Sequence, residues 1–348
     1  MELGDRKLRV LHAVIDDYIN VGEPVGSRTI VKKYNLGVSS ATVRNEMADL
    51  EEMGYLVQPH TSSGRIPSDK AYRLYVDQLM QTRVLTSSEA NNIKALYAIK
   101  ANQTEEIISQ TAKILSDMTN YTSVVLKPQL SKVLIRRLQI IPLDDEFALL
   151  VVVTNSGIIR DAIVKIPAGI EKSELERISN MLTERFLNKS FIEIDTDIIP
   201  RLRDELAINR RIFNDVINIF TENLSNIDKK ELYLYGTGNI FNFPEYHDLD
   251  KARSFLDLMD ETEIIYDIVD GSRDTGVSVT IGSENKHPDM KDSSIVTATY
   301  YVGDRIIGTI GLIGPTRMEY SNVFSIIDYM GKALGHCLTR FLDKQINA

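Results

Sequence analysis

Ser39-Ser-Ala-Thr-Val-Arg-Asn45, followed by Leu50-Glu-Glu-Met-Gly-Tyr55 and Pro59-His-Thr-Ser-Ser-Gly64-Arg-Ile-Pro67, decides how this chain reads. Ser39 is a helix-capping residue type, Val43, Met47 and Leu50 recur behind it at helical spacing, and Gly54 closes the segment. Tyr55–Gln58 has the composition of a strand, His60–Gly64 that of a turn, and Arg65-Ile66 begins a returning strand. Upstream, Leu8, Leu11, Ile15 and Tyr18 form a helical face ended by Gly22 and Pro24, and Ile30, Val31 and Tyr34 mark a short second helix. Downstream, Tyr72, Tyr75, Val76 and Leu79 share one face of a further helix. Helix, short helix, turn, helix and two-stranded wing is the order of a winged helix-turn-helix, expected over residues 1–83.

With Val43, Met47 and Leu50 turned inward, Ala41, Arg44, Asn45 and Ala48 fall together on the outer face of the third helix. Two small residues let a helix lie deep in a major groove, where Arg pairs bidentately with guanine and Asn with adenine. Ser39, Ser40 and Thr42 stand at the helix start, where free backbone N–H groups favour a phosphate. Asp49, Glu51 and Glu52 crowd the other end, so the reading falls to the N-terminal half. Lys32 and Lys33 are placed for phosphate contacts, and His60, Thr61, Ser62 and Arg65 for a backbone or minor-groove contact from the wing. The candidate ligand is double-stranded DNA. An ordinary capped surface helix is the competing reading of the third helix alone; the wing beside it shifts the balance to DNA.

Beyond a polar hinge at Thr82–Ala90 the chain runs helix, strands, helices, strands, helix. Strands are expected at Ser123–Leu126, Val133–Ile141, Phe147–Ile166 (broken by a hairpin turn at Asn155-Ser156-Gly157), Val277–Ile281, Ile295–Val302 and Arg305–Ile313, and a last helix at Ser321–Leu342. The fold class is therefore α+β, one α+β domain interrupted by a mostly helical insertion. Expected segments are 87–170 and 265–348 for the interrupted domain and 171–264 for the insertion. Within the insertion Phe213, Val216, Ile217, Phe220 and Leu224 make a broad apolar stripe suited to dimerisation.

The chain has 348 residues, 43% of them hydrophobic and 26% charged, and no apolar run of membrane-spanning length. Its net charge is −9, yet residues 1–80 hold ten basic and eleven acidic residues, so a polyanion is expected to meet that nearly neutral end. A single cysteine, Cys337, leaves no disulfide framework, and five scattered histidines give no metal-site spacing; no metal or cofactor is expected. Gly236-Thr-Gly238 is a lone G-x-G without a third glycine, and no nucleophile motif occurs, so no enzyme activity is expected.

The quoted segments, with Glu23-Pro-Val-Gly-Ser27, Tyr72-Arg73, Tyr75-Val-Asp77, Gly236, Asn239-Ile240, Pro244-Glu245 and the Tyr301–Leu312 hairpin, resemble those of the HrcA family of bacterial heat-inducible transcription repressors. The most specific is the wing, Pro59–Pro67, and the resemblance spans essentially the whole chain. It implies a repressor of chaperone operons that binds an inverted-repeat operator as a homodimer, in the bacterial cytoplasm at the nucleoid, and not at a membrane. It further implies that the interrupted domain is GAF-like, that the insertion dimerises, and that the chaperonin maintains activity. Because GAF-like domains often bind small molecules, a ligand-gated repressor is the alternative.

Overall fold

The computed structural model describes residues 3–59, 64–97, 104–127, 134–154, 159–166, 170–190, 193–194, 198, 230–271, 276–302 and 305–346. Helices α1 (Asp5–Val21), α2 (Ser27–Lys33) and α3 (Ser40–Glu52) meet through Val10, Leu11, Val14, Ile15, Ile30, Val43 and Leu50, all buried. Strands β1 (Leu56–Val57) and β2 (Ile66–Pro67) pair antiparallel, and Val25 forms a one-residue bridge with Arg65. A Cβ on Gly64 would stand 2.4 Å from the Val25 carbonyl oxygen, so only glycine lets the hairpin close on the segment between α1 and α2.

Helix α4 (Asp69–Leu74) starts at Ser68, whose Oγ accepts from the Ala71 N–H at 3.3 Å, and continues as a π turn over Tyr75–Leu79. Tyr72 is 1% exposed and its ring lies 5.9 Å from that of Tyr320. Its hydroxyl has no hydrogen-bond partner among the described residues. An unsatisfied buried hydroxyl costs about 1–3 kcal/mol. Tyr72→Phe, which keeps the ring, is expected to raise stability by about 1 kcal/mol in chemical denaturation; a destabilised variant would show that the hydroxyl is satisfied in solution.

The rest of the chain holds helices α5 (Ser87–Tyr97), α6 (Thr104–Thr119), α7 (Lys172–Phe186), α8 (Leu249–Asp260), α9 (Thr262–Asp270) and α10 (Tyr320–Ile346). Its strands are β3 (Thr122–Leu126), β4 (Ile135–Pro142), β5 (Phe147–Thr154), β6 (Ile159–Lys165), β7 (Leu232–Tyr235), β8 (Val277–Ile281), β9 (Ser293–Val302) and β10 (Arg305–Pro315). Five of these form one antiparallel sheet in the order β7-β3-β10-β9-β8. Both of its faces are covered, which is why β3 is buried at every residue, the polar Thr122 and Ser123 included. Val125, Val296, Tyr300, Ile310 and Leu312 join the core that includes α6 and α10. Their neighbours Val124, Leu126, Ile295 and Ile313 point the other way, into a core shared with α8 and α9.

The remaining strands, β4-β5-β6, form a separate antiparallel meander. Leu175, Ile178, Leu182 and Phe186 of α7 are buried in the same core as Leu138, Ile140, Leu150 and Val152. The α7 hydroxyls also occupy the open edge of β4. Ser179 Oγ accepts from the Ile140 N–H at 2.9 Å, while Thr183 Oγ1 accepts from Leu138 N–H at 3.1 Å and donates to Leu138 O at 2.7 Å. On the outer face, Ile141, Leu149 and Ile163 lie side by side across the three strands, and Ile163 is 66% exposed.

Strand pairing crosses the expected segments 87–170, 171–264 and 265–348. Strands β4–β6, assigned by sequence to the interrupted domain, pair only with one another among the described residues. Leu232–Tyr235, assigned to the insertion, is instead an edge strand beside β3, with Ser123 opposite Tyr235 and Leu126 opposite Leu232. The stripe Phe213, Val216, Ile217, Phe220 and Leu224 lies outside the described residues.

Candidate nucleic-acid interface

Helix α3 is amphipathic in the sense its sequence requires: Val43, Met47 and Leu50 are buried, and Ala41, Arg44, Asn45 and Ala48 are exposed. The Ser39 Oγ accepts from the Thr42 N–H at 3.2 Å and lies 3.0 Å from the Thr42 hydroxyl, so the cap fixes where the helix starts. Ser40 is half-buried in the first turn. No described group pairs with Arg44 or Asn45, which leaves the full hydrogen-bonding capacity of both for a ligand.

The helix is fastened from behind. Glu46, on the buried side, receives the Arg6 Nε–H at 2.6 Å, and the Lys7 ammonium bridges Glu46 at 2.8 Å and Asp49 at 2.7 Å. The hydrogen bond from Lys7, opposed by burial and aided by Arg6, holds the Glu46 carboxyl below its ordinary range. A carboxyl whose folded pKa is depressed contributes stability above its unfolded value, near 4.3, and loses that contribution as pH falls through the folded value. Wild-type melting temperature is therefore expected to drop more steeply between about pH 5 and pH 3 than that of Glu46→Gln. Parallel slopes would mean that the trio adds nothing to folding.

Two of the cations named as DNA contacts, Arg65 and Lys33, have partners within the fold. Arg65 is expected from sequence to make a backbone or minor-groove contact. Its Nε instead donates to Glu51 at 2.8 Å, with Nη2 2.7 Å from the same oxygen, and its backbone exchanges two hydrogen bonds of 2.9 Å with Val25. Lys33 likewise meets Asp17 at 2.6 Å, whereas Lys32 is exposed with no described partner. Arg28, in the first turn of α2, is also exposed and without a described partner, and sequence reasoning passed over it. Its position one residue inside a short helix was the available signal. His60, Thr61 and Ser62 lie outside the described residues.

Two of the three acids at the α3 end are thus neutralised within the fold, Asp49 by Lys7 and Glu51 by Arg65, while Lys70 donates to the Met53 carbonyl at 2.9 Å. The exposed groups without a described partner include the cations Arg28 and Lys32 of α2 and Arg44 of α3, with Glu52 the remaining acid at the far end of α3. Among the described residues no group of side chains has the makings of a metal site, and no helix is long and apolar enough to cross a membrane.

Comparison with known proteins bears on the whole chain. The family model described as the HrcA protein C terminal domain matches residues 105–324. A heat-inducible transcription repressor HrcA of Alkaliphilus metalliredigens is 42% identical over 97% of this chain and 98% of its own length. That of Ruminiclostridium cellulolyticum is 43% identical over 99% of both. Among solved structures, a crystallised hypothetical protein superposes with a TM-score of 0.61 at 22% identity, over 98% of this chain and 100% of that one, a likeness of fold alone. An exposed Arg-Asn face on a capped helix and full-length identity above 40% converge: the chain belongs to the HrcA family of heat-inducible transcription repressors.

Proposed function

We propose that residues 1–83 form a winged helix-turn-helix that reads one half of an inverted-repeat operator, and that the chain represses chaperone operons as a homodimer until heat stress releases it. The observation that carries the reading is Arg44 and Asn45, exposed and unpaired between Ala41 and Ala48 on a helix whose other face is core. Arg44 and Asn45 read bases; Ser39, Ser40, Thr42 and Lys32 hold phosphate; Lys33 and Arg65 contribute to DNA only by yielding their present partners, Asp17 and Glu51. His60, Thr61 and Ser62 supply the wing's contacts.

Sheet membership supports a GAF-like domain assembled from residues 87–127 and 230–348, with the unit between them inserted. We assign dimerisation to that inserted unit, through its apolar outer sheet face together with the segment holding Phe213, Val216, Ile217, Phe220 and Leu224. A two-fold operator requires a two-fold protein. Maintenance by the chaperonin, and a place in the cytoplasm at the nucleoid, follow from family membership.

Footprinting on the chaperone promoters of the source organism tests the reading. Protection of an inverted repeat is expected; protection without sequence preference would overturn it. Lys32→Ala is expected to weaken specific and non-specific DNA alike and to lower the salt slope by about one unit per protomer, measured by titration at several salt concentrations.

A further inference from the structure

The reading unit is gripped by the rest of the chain at two separated places. At the first, Arg317, in the segment between β10 and α10, donates from Nη1 to the Ile19 carbonyl at 3.1 Å, in the last turn of α1. Its guanidinium lies against Gly22, where a Cβ would stand 3.1 Å from Cζ, and over the Phe243 ring at 5.7 Å. Glu245 pairs with it through Nε and, at 3.3 Å, through Nη2. A cation at a helix C-terminus meets the negative end of the helix dipole, and only 11% of this side chain is exposed.

At the second place, Arg73 of α4 forms a fork with Glu284: Nε to Oε1 at 2.8 Å and Nη2 to Oε2 at 2.5 Å. The same Nη2 donates to the Val279 carbonyl in β8 at 2.8 Å. Beside it Asp69 accepts from the Ser283 N–H at 2.8 Å, and a Cβ on Gly282 would lie 2.3 Å from the Asp69 carboxylate.

The connecting segment is also laid down. Ser321 Oγ donates to Gln81 O at 2.5 Å, Ser325 Oγ donates to Arg83 O, and Arg83 Nη1 donates to Asn322 Oδ1 at 2.9 Å. A tether held this way does not behave as a flexible chain. Since α1 also carries α3 through the Glu46 trio, a grip on α1 and α4 fixes the orientation of the reading helix.

We infer that Arg317 and Arg73 are positioning residues that hold the reading unit at a set angle to the five-stranded domain, and thereby fix the half-site spacing the repressor accepts. The inference rests on the dimeric-operator reading above. A dimer with loosely tethered readers tolerates altered spacing; one with clamped readers does not, because both half-sites must be engaged together.

Full-length wild type, Arg73→Ala/Arg317→Ala and the milder Arg73→Gln/Arg317→Gln are compared on the native operator and on one lengthened by about half a helical turn, roughly 5 bp. Wild type is expected to lose about 100-fold on the longer operator. The variants are expected to bind the native operator more weakly yet to lose less than about tenfold on lengthening it. Tryptic cleavage after Arg83 reads the same release without DNA and is expected to accelerate at least tenfold in both variants, with the melting transition of the five-stranded domain retained. A folded variant that keeps the wild-type spacing penalty, or binds the native operator more tightly than wild type, overturns the inference. If wild type itself tolerates the longer operator while still binding the whole operator more tightly than a half-site, the clamp is overturned; if it binds whole and half operators alike, the dimeric-operator reading fails, and unchanged cleavage after Arg83 then overturns the clamp as well.

Discussion

Arg44→Ala is expected to remove about 1–3 kcal/mol of discrimination at one base pair in each half-site, a five- to 150-fold loss of preference for the correct base. The expectation comes from the surroundings of the residue. Arg44 sits in the N-terminal half of α3 with no described partner, and the exposed neighbours Ala41 and Ala48 leave room for close approach to base edges. The fold does not depend on it, because the core face of the helix is Val43, Met47 and Leu50 and its anchor is Glu46. Melting temperature should therefore hold while specificity falls. Competition between the operator and single-base variants of it measures the loss, and an unchanged base preference in a folded Arg44→Ala protein would remove α3 from the reading role.

Phe186→Ala should act at the opposite end of the architecture. Phe186 closes the last turn of α7 with no exposed surface, in the same core as Leu175, Ile178 and Leu182. Truncating a buried phenylalanine costs about 3–5 kcal/mol, enough to unfold a small three-stranded unit. Residues 1–83 and the five-stranded sheet do not use this side chain for strand pairing, so they should stay folded. The expected outcome is a monomer whose operator affinity falls about 100-fold through the lost second reader, with single half-site binding retained. Sedimentation and gel-shift on whole and half operators read the two effects. A dimeric Phe186→Ala protein with wild-type affinity would exclude the inserted unit as the dimer contact.

What the sequence disclosed was chiefly local. The Ser39 cap, the core face Val43, Met47 and Leu50, and the exposed face around Arg44 depend on helical period alone, and the structure has all three. Charge pairing across the fold was invisible. Lys33 and Asp17 are 16 positions apart, Arg65 and Glu51 are 14 apart, and nothing in either local pattern announces a partner. Sheet membership is not a local property either: β3 and β5 belong to different sheets, and no local pattern distinguishes them. Phe147–Val153 is an unbroken apolar run of strand length in the sequence. In the structure only alternate residues, Ala148, Leu150 and Val152, are fully buried. The edge strand Leu232–Tyr235, four residues long, is held by its pairing with β3 rather than by its own pattern.

The outer face of the β4–β6 meander has a consequence for how the chain behaves in solution. Ile141, Phe147 and Ile163 present apolar surface there, in line with the half-buried Leu149, Val151 and Val153. The apolar row Ile141–Leu149–Ile163, bordered by exposed Gln139, Asp161 and Lys165, makes a lone chain adhesive, because water is released whenever another apolar surface covers it. If the proposed dimer covers that row, dilution or warming that separates the two copies would turn the repressor into a species prone to precipitate. Solubility and repression would then be governed by the same surface.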